Sequence, residues 1–279
     1  MSNQLKTGIL LGLLTGLILI FGQVMGGNGG LVIAFLIAIA MNVGSYWFSD
    51  RIVLRMYKAN EVSPSEAPKL HEIVDELSQS AGIPKPRVFI IPEKSPNAFA
   101  TGRNPDHGVV AVTQGIMDIL SKEELKGVLG HELGHIRNRD ILIQTVAATL
   151  AGVIMFVSTM IRWAAIFGMG GDDDGGGNPI VAIALSIIAP IAAMFIQMAI
   201  SRSREYLADQ AGAEFAGNPA YLAGALEKMD ASSKNIPMRT GDQSTAHMFI
   251  INPFRGKNLA KLFSTHPPIE ERISRLRAM

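Results

Sequence analysis

Four long stretches of this chain, at 7–24, 31–48, 141–161 and 179–201, contain no Asp, Glu, Lys or Arg. Between and after them, apolar and polar positions alternate at the periods of ordinary helices and strands. A bilayer core takes about 20 apolar residues of helix, so each stretch is expected to cross a membrane. A buried core helix of a soluble protein reads the same way, but four in one chain of 279 residues would be unusual for that class.

Between the second and third stretches, Leu70, Ile73, Val74 and Leu77 recur at helical spacing, and Gly82 followed by Pro84 should end that helix. Residues 88–91, 98–102 and 109–113 read as short strands separated by Pro, Asn, Asp and Gly, so a small sheet is expected. Ser121 with Glu124 has the spacing of a capping box, and Leu125, Val128, Leu129 and Leu133 continue a helix beyond it. After the fourth stretch, Asn218-Pro219 looks like a helix start, with Tyr221, Leu222, Ala225 and Leu226 on one face. Residues 231–245 are expected to be a mobile loop, and a last helix starts near Ile269.

Composition supports the membrane reading: hydrophobic residues make up 48% and charged ones 18%. Arg51, Arg55 and Lys58 follow the second stretch, Arg137 and Arg139 precede the third, and Arg202 and Arg204 follow the fourth. The positive-inside rule places these segments in the cytoplasm. The opposite loops are the uncharged 26–30 and the acidic, Gly-rich 172–177; the latter is read as a flexible outer loop rather than a calcium site. The chain thus divides into an N-terminal transmembrane hairpin at 1–50 and a cytoplasmic part at 51–140 with the small sheet. A second hairpin follows at 141–201, and a C-terminal cytoplasmic helical part at 202–279. A net charge of +1 suggests no nucleic-acid partner, and the oligomeric state is not legible.

The chemistry is concentrated in His131-Glu132-Leu133-Gly134-His135. On a helix, residues four apart share a face, so both imidazoles can reach one ion. Glu132 then stands beside the metal, where a carboxylate can take a proton from a water that zinc has acidified and return it to a leaving amine. Cysteine is absent, so the ligands must be His and carboxylate. The alternative is a chance pairing of histidines, and the capped helix around the motif argues against it.

A catalytic zinc usually takes three protein ligands. Position 138 is Asn and 141 is Ile, so the third histidine that would follow at close spacing in some zinc proteases is missing. If the third and fourth stretches form an antiparallel hairpin, residues whose numbers share a sum lie at equal height. That register sets Glu205 opposite His135 and Asp209 opposite His131. Glu205 is the expected third ligand and Asp209 a partner fixing an imidazole tautomer, against the alternative that both pair with Arg202 or Arg204. His71 and His107 read as surface groups. His266, stiffened by Pro267 and Pro268, could donate to the oxyanion of a tetrahedral intermediate. Asn97, Ala98, Phe99 and Ala100 could form an edge strand that holds extended substrate, or simply a structural hairpin.

With these segments in place, together with 205–209, 264–268 and 97–102, the whole chain resembles the HtpX family of bacterial membrane heat-shock zinc proteases. That grouping also contains the CAAX prenyl proteases. The resemblance implies an α-helical membrane protein with four transmembrane helices and an α+β zincin-like cytoplasmic protease domain. It implies one zinc ion per chain, location in the bacterial inner membrane with the active site and both termini cytoplasmic, and damaged or misassembled membrane proteins as substrates. A non-enzymatic zinc-stabilised scaffold or chaperone, and a dedicated processing protease, are the alternatives.

Overall fold

The computed structural model describes residues 3–141, 143, 154, 158–160, 202–233, 236, 238, 248–251 and 267–279. The chain divides into two compact units, one of Met1–Ser45 with Thr145–Ala199, the other of Tyr46–Gln144 with Ile200–Met279.

Helix α1 (Asn3–Met56) is broken at Gly26 and Gly27, where Gly27 takes φ 55°, a conformation that a side chain would strain. Within the first unit the chain doubles back there. Leu14 and Ile18 before the break pack on Ala34 and Ala38 after it. The two arms approach so closely that a Cβ on Gly22 would lie 2.3 Å from that of Ala34. Leu13, Ile20, Val32, Ile33 and Leu36 on these arms are exposed. Among the described residues no helix is long and apolar enough to cross a membrane; α1 carries no charged side chain from Thr7 to Ser49. The expected spans at 141–161 and 179–201 and the 172–177 loop lie largely or wholly outside the described residues.

The second unit is built on a four-stranded sheet in the order β1-β2-β4-β3, from β1 (Asn60–Glu61), β2 (Arg87–Ile91), β3 (Ala98–Thr101) and β4 (Val109–Thr113). β2 and β4 are parallel, and β3 runs antiparallel to β4 with Ala98 opposite Val112. β4 is buried along its whole length because both faces are covered. On one face Val88, Val110 and Val112 meet Leu70, Ile73, Val74 and Leu77 of α2 (Pro68–Ala81) and Val128, Leu129 and Leu133 of α4 (Lys122–Asn138). On the other, Phe89, Phe99 and Ala111 meet Val53 and Leu54 from the end of α1 and Tyr57 just beyond it. Phe249 stands edge-on to both Tyr57 and Phe99, which are tilted to each other, with centroids 5.0–5.9 Å apart.

The local signals explain the helix ends. Gly82 caps α2 in the left-handed conformation. Ser121 and Glu124 exchange both bonds of a capping box at the start of α4. A short α3 (Gln114–Ile119), capped by the Thr113 side chain, joins β4 to α4, and its brevity hides it from periodicity. Beyond 201, residues 202–216 form α5, Pro219–Ser233 form α6 and Ile269–Arg277 form α7. Residues 231–233 thus belong to α6 and not to a loop, while most of the expected loop to 245 lies outside the described residues. His71 also differs from expectation. It faces the core of the second unit, and its Nε2 lies 2.9 Å from the Val62 carbonyl, because the α2 face that carries Leu70 and Val74 turns it inward. His107 is exposed.

Candidate metal centre

Three glycines of α4 bring α5 and α6 against the motif. A Cβ on Gly130 would lie 2.8 Å from the Gly212 carbonyl oxygen, and one on Gly212 would lie 2.6 Å from the His131 backbone nitrogen. Gly134 sits against Ala208 and Ala211, and Gly127 against the Leu222 backbone. This close approach puts the Glu205 and Asp209 face of α5 beside His131 and His135, and all four side chains are buried.

The donor atoms converge. His131 Nε2 and His135 Nε2 are 3.2 Å apart. Glu205 Oε1 is 3.4 Å from His135 Nε2, and Glu205 Oε2 is 3.7 Å from His131 Nε2. Bonds of about 2.0–2.1 Å in a tetrahedral zinc site set ligand atoms roughly 3.3 Å apart; the two imidazole nitrogens match that spacing, and with one Glu205 oxygen turned to each ring the three side chains offer ligand atoms within 4.8 Å of one another. Among the described residues this is the group of His and carboxylate side chains that could hold a metal. Glu132 is not part of it. Its carboxyl is buried beside the histidines, and its Oε1 has no hydrogen-bond partner among the described residues.

Each imidazole is oriented by a carboxylate on its far nitrogen. His131 Nδ1 lies 2.9 Å from Asp209 Oδ1, and His135 Nδ1 lies 3.3 Å from Asp140 Oδ2. A longer contact of 3.4 Å from Arg272 Nη2 to His131 Nδ1 would require that nitrogen to accept. The shorter geometry has Nδ1–H donating to Asp209, and Arg272 Nη2 donates instead to Asp209 Oδ1 at 2.6 Å. The Nε2 lone pair of His131 is thereby left facing the centre.

Arg272 and Asp140 were not legible as site residues. Arg272 reaches in from α7, fully buried. Its Nε and Nη2 grip Asp209 at 2.9 and 2.6 Å, and its Nη1 donates to the Ile250 carbonyl. A signal existed: Ile269, Ile273 and Leu276 are the apolar stripe of α7, and Arg272 occupies the same stripe, which obliges a buried partner. Asp140 follows Arg139, which ends α4 in the left-handed conformation (φ 58°, ψ 37°) and turns the chain so that Asp140 reaches back to His135. The Asp140 carboxylate also lies 3.6 Å from Arg204 Nε, and Arg204 Nη1 donates to the Asp140 carbonyl, so Arg204 is engaged there.

Burial dominates the electrostatics. It pushes the Glu132 carboxyl up to about 7, with the Glu205 charge adding and His135 opposing. Burial likewise lowers His131, against the bond to Asp209. For His135 burial is outweighed by hydrogen bonds to Asp140 and Glu205, which raise it to about 10. Asp209 is held at about 2: burial resists its ionisation, but the Arg272 guanidinium and the His131 bond overcome that.

Strand β3 is the sheet edge, as the substrate-binding expectation requires. Its first part is occupied, however, because Ile250 N–H donates to the Ala98 carbonyl at 3.2 Å. Asn97 is buried and donates through Nδ2 to the Ile251 carbonyl at 2.7 Å, so its side chain fastens this chain's own segment. Ala100 offers its backbone N–H to the Glu132 carboxylate. His266 lies outside the described residues.

Residues 64–279 match the model of Peptidase family M48. A Protease HtpX homolog from Syntrophobacter fumaroxidans is 56% identical over 282 residues, covering 100% of both chains. One from Pyrococcus furiosus is 56% identical over 98% of this chain and 94% of its own. Among solved structures, S. mikatae Ste24p superposes with a TM-score of 0.57 at 20% identity, over 96% of this chain, which spans 62% of the length of that one.

Proposed function

The chain belongs to peptidase family M48 and is a metalloprotease, and from that premise we propose a membrane-bound zinc endopeptidase that cuts damaged or misassembled membrane proteins. His131, His135 and Glu205 hold the ion, Asp209 and Asp140 orient the two imidazoles, and Glu132 is the general base. The observation that carries this reading is the convergence of ligand atoms from His131, His135 and Glu205 within 4.8 Å of one another, beside a buried carboxylate oxygen that nothing else among the described residues engages. A purely structural zinc site fills its coordination sphere and has no use for that carboxylate.

When bound, zinc supplies Lewis acidity, which acidifies a water molecule and polarises the scissile carbonyl. Glu132 handles the proton: its carboxylate accepts one from the attacking water and delivers it to the departing amine nitrogen. Burial keeps that carboxylate basic enough for the first step. His266 is assigned the oxyanion, and an extended substrate would pair along β3 beyond Ala98, whose carbonyl Ile250 already uses.

The four-span topology, with the 51–140 and 202–279 parts and both termini in the cytoplasm of a bacterial inner membrane, is supported by the charge distribution. It is also supported by the exposed apolar side chains of the α1 arms, a surface that water disfavours and lipid accepts. Reporter fusions at the 172–177 loop and at the C-terminus test it, with opposite sides expected. Substrate breadth is tested by offering the zinc-loaded protein several unrelated, loosely folded membrane proteins. Cleavage of all supports quality control. Cleavage of one alone favours a dedicated processing enzyme.

A further inference from the structure

A polar cavity of about 340 Å³ lies in the sheet-containing unit at the end of α1 and is lined by Trp47, Asp50, Arg51 and residues of the β2 and β3–β4 connections. Its volume is that of a small-ligand cleft. Four cationic side chains (Arg51, Lys85, Arg87, Arg103) line it against two acids, Asp50 and Asp106. Lys85 is already neutralised by Asp75 at 2.6 Å, and Arg87 by Asp50 and Glu61 at 3.2 and 3.6 Å. Arg51 and Arg103 have no carboxylate within ion-pair distance among the described residues.

Arg103 is also fixed in place. Its guanidinium lies 4.4 Å from the Trp47 ring centroid, and Nη2 is 2.6 Å from His107 Nε2. That nitrogen accepts, because His107 Nδ1 lies 2.8 Å from Asn104 Oδ1 and donates to it. The arrangement costs Arg103 one N–H and leaves the rest of a rigid donor fork without an anion. Such a fork matches phosphate oxygens. Trp47 is half exposed and stands where the charge-free stretch of α1 ends, the position that interfacial aromatics take at a headgroup layer.

We propose that this cavity binds the phosphate of an anionic phospholipid headgroup through Arg51 and Arg103, with Trp47 packed beside it. The source of the phosphate rests on the membrane reading given above, whereas the cavity itself does not.

The test uses the full chain in neutral detergent with Trp163→Phe, so that Trp47 is the one fluorophore of its kind. The probes are short-chain phosphatidylglycerol, phosphatidylcholine of equal chain length, and inorganic phosphate. Phosphatidylglycerol should shift Trp47 emission saturably and bind at least about tenfold more tightly than phosphatidylcholine. Arg51→Gln with Arg103→Gln should weaken it about thirtyfold. Asp106→Asn, which removes a cavity acid, should tighten it, and this variant decides if the double variant fails to retain zinc. Equal affinity for the two lipids, or an unchanged affinity in the double variant together with no gain in Asp106→Asn, overturns the site. Inorganic phosphate binding as tightly as the lipid overturns the lipid source in favour of a free phosphate. Carbonate washing of membranes is read alongside: release of the chain overturns the membrane reading, and the lipid source with it, while the detergent titration still judges the phosphate site.

Discussion

His131 Nδ1 and Asp209 Oδ1 are 2.9 Å apart, so an imidazole on α4 has its tautomer set from α5, and Asp209 is itself gripped by Arg272 from α7. Three segments distant in sequence therefore meet at one ring nitrogen. Asp209→Asn keeps the shape but removes the charge that favours His131 Nδ1–H. Zinc affinity should fall about 10–100-fold. Competition against a chromogenic chelator measures it, and an unchanged affinity would remove Asp209 from the site's support.

The same pair predicts an acid limb in stability. Asp209 titrates at about 2 in the folded chain against an ordinary 3.8, so the folded state releases its proton more readily. Its contribution is fully present at about pH 5, above the ordinary 3.8, and is lost progressively as the pH falls through 2. For a buried group this shift corresponds to about 2 kcal/mol. The stability gap between wild type and Asp209→Asn, followed by urea unfolding, should therefore close between pH 5 and pH 2. A gap constant over that window would contradict the assignment.

Gly212→Ala tests the helix approach that forms the site. Alanine in a helix gains about 1 kcal/mol over glycine, but overpacking costs about 1–3 kcal/mol. The added methyl would sit 2.6 Å from the His131 backbone, which has no flexible end to yield. The cost should win, lowering Tm and displacing His131. Zinc content per chain should drop well below one, and full retention would show that the helices can separate without opening the site.

Arg139 carries φ 58° where glycine is free and L-residues pay roughly 1–2 kcal/mol. Arg139→Gly should leave Tm equal or slightly higher and keep zinc. Arg139→Val, branched at Cβ, should lower both Tm and zinc affinity by moving Asp140 away from His135. Thermal unfolding with metal analysis separates the two variants.

The sequence carried the local signals well. The Ser121 capping box, the Gly82 stop and the three longer strands depend on neighbours within a few residues, and all stand in the structure. Glu205 and Asp209 stand beside His135 and His131, as equal sums of residue numbers predict, and α4 and α5 reach that closeness through glycines, a contact no periodicity displays. What stayed hidden depends on long-range partners. Arg272 is meaningful only once Asp209 is beside it, His71 only once Val62 folds over α2, and Asn97 only once residues 250–251 lie along β3. β1 and α3 are too short to show a period at all.

The most direct test of the central claim compares wild type with Glu132→Gln, both in full-length form in detergent, stripped with a chelator and reloaded with zinc. Both should bind one zinc per chain. On a loosely folded protein substrate the wild type should cleave, and the variant should be slower by at least about 100-fold, the scale of lost general base catalysis. Equal cleavage by the two proteins, or zinc binding with cleavage by neither on every substrate offered, would contradict Glu132 as the base of a zinc protease.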